Sequence, residues 1–137
     1  MSSDLGGVAV FLHSGRYDEI HQGLSIAAAA AASGRKTQIF FFWWALERLA
    51  ENRLVPDQAE LSSWPRSVAE RLEDGRFPTA AALLETARSA GARVYACTGS
   101  LAIVGRRPDQ LEGKVDGYLG WASILDATEG ISSRFYL

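Results

Sequence analysis

Few residues in this chain have side chains that do chemistry: one cysteine, Cys97, and two histidines, His13 and His21. A single thiol cannot close an intrachain disulfide, and with two histidines it gives no ligand set at zinc spacing. No metal and no organic cofactor are therefore expected. A lone thiol offers nucleophilic sulfur chemistry, carried by its thiolate. Cys97 ends an apolar run, residues 93–97, and stands just before Thr98, Gly99 and Ser100, which read as the opening of a helix. Amides at such a helix start favour the anion, so a lowered thiol pKa is expected, along with a Cys97→Ser change that removes reactivity and leaves the fold alone. The same position also suits an inert, buried small hydrophobe, the usual state of a free cysteine. Burial separates the two readings, because a reactive thiol is reachable and polar-lined.

His13 ends the first apolar run and is expected on the same sheet edge as Cys97, as a base, as a partner to the sulfur, or simply as a cap on local backbone. His21 falls inside the first helix and reads as solvated or at an interface. Trp43, Trp44 and Trp121 follow strands directly, so they crowd the same rim, as ligand contacts or as core and interface packing. The candidate site is thus Cys97 with His13, Trp43, Thr98, Gly99 and Trp121. Arg106-Arg107 reads either as a site for an anionic donor or as a solvated turn. The glycines match neither a dinucleotide-binding fingerprint nor a P-loop.

These residues need elements to hold them, and strands alternating with helices supply them. Residues 8–12 and 37–42 read as strands buried on both faces. Residues 16–33 carry Tyr17, Ile20, Leu24, Ala27, Ala28 and Ala31 at helical spacing and stop at Ser33-Gly34. Helices are expected over 43–52, 79–90 and 121–128, a short helical turn over 98–104, and strands over 93–97, 115–119 and 132–136. Residues 53–77 break the pattern with Pro56, Ser62-Ser63-Trp64-Pro65 and Asp74-Gly75, and read as an irregular insertion or lid with at most one short helix near 67–72. Five strands joined by helical crossovers make an α/β fold, a three-layer α/β/α sandwich around a parallel sheet with strand 1 inside it.

At 137 residues the chain suits one domain with a core that needs no staple. A net charge of −2 with scattered basic residues argues against nucleic acid as a partner. The longest apolar stretch, residues 39–46, falls far short of the ~20 residues of a membrane span. The opening Met1-Ser2-Ser3-Asp4 lacks the features of a signal peptide, and an unpaired cysteine fits a reducing cytosol, so a cytoplasmic setting is expected.

Taken in order, Val8 to Gly15, the Ala-rich helix, Gly34 to Trp43, and then Gly91 to Cys97, Gly105, Leu111 and Val115 to Gly120 resemble the DsrE/DsrF-like family over nearly the whole chain apart from residues 53–77. The resemblance implies a single DsrE-like domain and a sheet of strand order 4-3-2-1-5. It also implies a homo-oligomer, a trimer or hexamer, or a hetero-oligomer of related subunits. Its activity would be to carry or transfer sulfane sulfur as a persulfide on Cys97, in exchange with a sulfur-carrier protein. The alternative within the same family is a non-catalytic assembly or regulatory subunit with an unreactive cysteine. With no second cysteine, an intramolecular thiol relay is out of reach.

Overall fold

The computed structural model describes residues 5–137, so the chain start on which the leader reading rests lies outside it. Strands β1 (Val8–Leu12) and β2 (Thr37–Phe41) are buried along their whole length, β1 as an unbroken apolar run and β2 as an apolar, β-branched run that also buries Gln38. With β3 (Arg93–Cys97), β4 (Gly117–Leu119) and β5 (Ser133–Tyr136) they form one all-parallel sheet of order β4-β3-β2-β1-β5. This is the order that the resemblance implies, with β1 interior. β4 is shorter than the sequence pattern because Asp116 is used otherwise. Its side chain accepts from the Val94 amide at 2.8 Å while its own amide donates to the Val94 carbonyl at 2.7 Å.

Between the strands run α1 (Tyr17–Ala32), α2 (Trp43–Ala50), α3 (Gln58–Ser63), α4 (Arg66–Glu73), α5 (Ala80–Ser89), α6 (Thr98–Ile103), a 3-10 turn (Pro108–Leu111) and α7 (Trp121–Ala127). From β1 to β4 the chain steps across the sheet in one direction, so right-handed crossovers put the connecting helices on one face. From β4 it returns past three strands to β5, and α7 is therefore alone on the other face. The core divides accordingly. Val10, Leu12, Ile39, Phe41, Val94 and Ala96 pack with α1, α2 and α5, whereas Ala9, Phe11, Phe40, Phe42 and Cys97 pack with Ile124 of α7. The alternation of side chains along each strand makes this division.

α1 lies close on the sheet where its inner face is glycine and alanine, at Gly23, Ala27, Ala28, Ala30 and Ala31. A Cβ on Gly23 would stand 2.4 Å from Leu12 Cδ2 and 3.2 Å from Val10 Cγ1.

Residues 53–77 lie outside the sheet as expected, but they hold two helices, not one at most. α3 buries none of its residues, so it leaves no apolar period to read. Its signal is the capping box of Asp57 and Glu60, each side chain bonding the other's amide. The segment is pinned by Arg48, which is 3% exposed. Arg48 donates to both Glu60 carboxylate oxygens, at 2.7 and 3.0 Å, and to the carbonyls of Arg53, Val55 and Gly15. The guanidinium also lies over the Tyr17 ring, 5.5 Å from its centroid.

Arg48→Ala strands a carboxylate and three carbonyls, so denaturant unfolding should show a loss of about 3 kcal/mol or more. Limited proteolysis should cut first within residues 53–77.

Candidate functional site

Open parallel sheets bind ligands at the carboxyl ends of their strands. Here that edge holds a cleft of about 250 Å³ lined by Phe11, His13, Phe42, Trp43, Ser100, Trp121 and Tyr136. Three of the expected residues, His13, Trp43 and Trp121, are therefore brought together. Thr98 and Gly99 are exposed at the start of α6 and do not line the cleft, and none of residues 53–77 reaches it. Sequence reasoning did not place Phe11, Phe42, Ser100 or Tyr136 in the site. Ser100 is signalled only by its spacing from Cys97 in the first turn of α6, and Tyr136 by its pairing opposite Phe11.

The walls are aromatic and mutually stacked. Ring centroids lie 4.5 Å apart for Phe11 and Tyr136, 5.0 Å for Phe11 and Phe40, and 5.1 Å for Phe42 and Trp121. Trp43 takes φ +46°, a left-handed conformation that costs a bulky residue roughly 1–3 kcal/mol. Where the chain turns from β2 into α2 this strain places the indole on the cleft, 42% exposed. The His13 loop is held from two sides. Its amide donates to the Leu137 carbonyl at 2.9 Å, and a Cβ on Gly15 would stand 2.9 Å from Trp44 Cβ.

Cys97 ends β3 on this edge but sits behind the cleft. It is 5% exposed and belongs to the apolar cluster of Phe11, Phe40, Phe42 and Ile124. It is the N-cap of α6, yet its side chain forms no capping hydrogen bond, and α6 has only six residues. The expectation that helix amides reach the sulfur is thus corrected: the thiol faces aromatic rings. Register places His13 and Cys97 level with each other but with β2 between them. That is a backbone separation of about 10 Å, with Phe42 at the same level, so the two are not partnered. Gly99 stands beside the thiol, where an added Cβ would lie 3.9 Å from the sulfur.

The anionic-donor reading of Arg106-Arg107 is also revised. Arg106 is shared between Glu47 and Glu51, and Arg107 pairs with Asp109. His21 lines a separate hollow of about 370 Å³ between α1 and α4, where its Nε2 bonds the Pro78 carbonyl at 2.9 Å. That hollow is larger than the cleft but lies on the α1 side of the sheet, whereas the thiol belongs to the core on the other side. Among the described residues no group of three or more His, Cys, Asp and Glu could hold a metal, and no helix is long and apolar enough to cross a membrane.

Fold and site together define an open α/β parallel-sheet protein with an aromatic cleft at the carboxyl ends of its strands and a shielded thiol behind it. No protein-family model matches the chain, and no curated protein matches it.

Two outcomes are expected. In the native protein Cys97 should be alkylated far more slowly than in denaturant, and Cys97→Ser should cost about 1–3 kcal/mol, because it buries a hydroxyl among phenyl rings. This replaces the silent substitution expected from sequence. The Glu51 carboxyl is held below its ordinary value, first by the Arg53 hydrogen bond and further by Arg106, against an opposing desolvation. Its stabilisation is complete above the unfolded value and is lost as pH falls through the depressed folded one. Stability should therefore decline as pH drops below about 4.5, and Glu51→Gln should flatten part of that slope in an acid denaturation series.

Proposed function

We propose that this chain is a DsrE/DsrF-like sulfur-trafficking subunit of the cytoplasm, in which Cys97 carries sulfane sulfur as a persulfide. The observation that carries this reading is the strand order β4-β3-β2-β1-β5 together with Cys97 at the carboxyl end of β3, directly behind the cleft of His13, Trp43 and Trp121. Strand order is a property of the whole chain, and the family resemblance specifies it independently of the cysteine. Gly99, exposed and without a Cβ, stands beside the sulfur. The aromatic rim, with Trp44 56% and Tyr136 63% exposed, suits contact with further subunits or a sulfur-carrier protein.

A second reading, a non-catalytic assembly or regulatory subunit, is favoured by one observation: the thiol is buried among apolar side chains. A single experiment separates the two. Wild type and Cys97→Ala are incubated with inorganic polysulfide and weighed intact. One added sulfur on wild type alone, removed by a small thiol, is the expected result. If wild type stays unmodified under conditions where an exposed model thiol is fully modified, the carrier reading is wrong and the assembly reading stands.

A further inference from the structure

Ser100 is 3% exposed, yet it lines the cleft beside His13. Its hydroxyl forms no hydrogen bond with any described residue. Among those residues the only fully sealed side-chain oxygen or nitrogen without a partner is Gln38 Oε1, so the unbonded Ser100 oxygen is open to the cleft. A hydroxyl held this deep without a partner costs free energy that a ligand acceptor would return. Its position also bears on the thiol. Cys97 is the N-cap of α6 and Ser100 is the third residue of that helix, so the two stand within one helical turn of each other. The charge of the cleft is low: no lysine or arginine lines it, and His13 is its one basic group.

We infer that Ser100 is a positioning residue that donates its hydroxyl hydrogen to the outer sulfur of a Cys97 persulfide, and that the sulfur arrives on an organic hydropersulfide and not on a doubly charged oxyanion such as thiosulfate. The inference rests on the sulfur-carrier reading above and adds the anchor and the donor class. In the transfer, the Cys97 sulfur attacks the terminal sulfur of R–S–SH. The donor S–S bond breaks, R–S⁻ leaves with the electron pair and takes up the proton lost by the thiol, and a Cys97–S–SH bond forms. One thiol and one hydropersulfide give one thiol and one hydropersulfide, with no external oxidant. The outer sulfur lies about 2 Å beyond the thiol sulfur, and Ser100 stands within the first turn of the helix that Cys97 caps. The outer sulfur ionises to the perthiolate, which the hydroxyl stabilises. The aromatic walls suit the apolar body and the polarisable sulfur of such a donor.

Wild type, Ser100→Ala, Ser100→Thr and Ser100→Val are loaded with benzyl hydropersulfide, or with thiosulfate at equal concentration, and weighed. The alkylation rate of the loaded sulfur is then followed against pH. Benzyl hydropersulfide should load wild type and thiosulfate should not. Ser100→Ala should raise the apparent pKa of the persulfide by about one unit and slow loading about tenfold. Ser100→Thr should keep the wild-type profile, whereas Ser100→Val should follow Ser100→Ala. The Thr and Val pair, alike in shape, decides the matter if Ser100→Ala does not fold. Identical pH profiles with and without the hydroxyl, or faster loading by thiosulfate, overturn this inference and leave the carrier reading intact. If neither donor places sulfur on wild type, the carrier reading fails and this inference fails with it.

Discussion

One constraint organises the molecule: parallel strands are joined by right-handed crossovers, and this chain reverses its direction across the sheet only once. Each earlier crossover adds a helix to the same face, and the single return from β4 to β5 leaves seven-residue α7 to cover the other. The covering is thin. Rings therefore do there what helices do opposite, with Phe11, Phe40, Phe42, Trp121 and Tyr136 stacked over the strand ends. The cleft is the gap that this stack leaves at the edge, and its place follows from the topology before any side chain is chosen.

The same economy explains the state of the thiol. Cys97 points toward the thinly covered face, where the sulfur fills volume between phenyl rings as a small apolar group does. Packing and reactivity make opposite demands on one atom, and in this conformation packing prevails. Ser100, in the same helical turn, lines the cleft.

Much of the fold was legible because the sheet is buried on both faces: residues 8–12 and 37–41 have no polar alternation to confuse with an exposed strand. Strand ends could be read from apolar runs meeting glycine or helix formers, which is why His13, Trp43, Cys97 and Trp121 fall on one edge. The face to which each side chain turns was not legible. Cys97 and Ala96 differ only in parity, and a one-residue step decides between the two cores. The helices of residues 53–77 were missed because they bury almost nothing, and hydrophobic period is the signal on which helix reading depends. Arg48 is a further case. An arginine on a short amphipathic helix reads as solvent-facing, and only the return of Glu60 and three carbonyls in space makes its burial favourable.

β1 is made interior by β5, and the His13 and Ser14 amides both donate to the carbonyl of Leu137. During synthesis, then, β1 waits for β5. Until residues 133–137 have been made, β1 presents an open edge able to pair with another nascent chain, and the His13 side of the cleft has no anchor. The long separation of β1 from β5 also makes this pairing a costly closure, suited to a late event in folding. The greatest demand on chaperones therefore falls in the interval when β1 to β4 are complete and the sheet still lacks its β5 border.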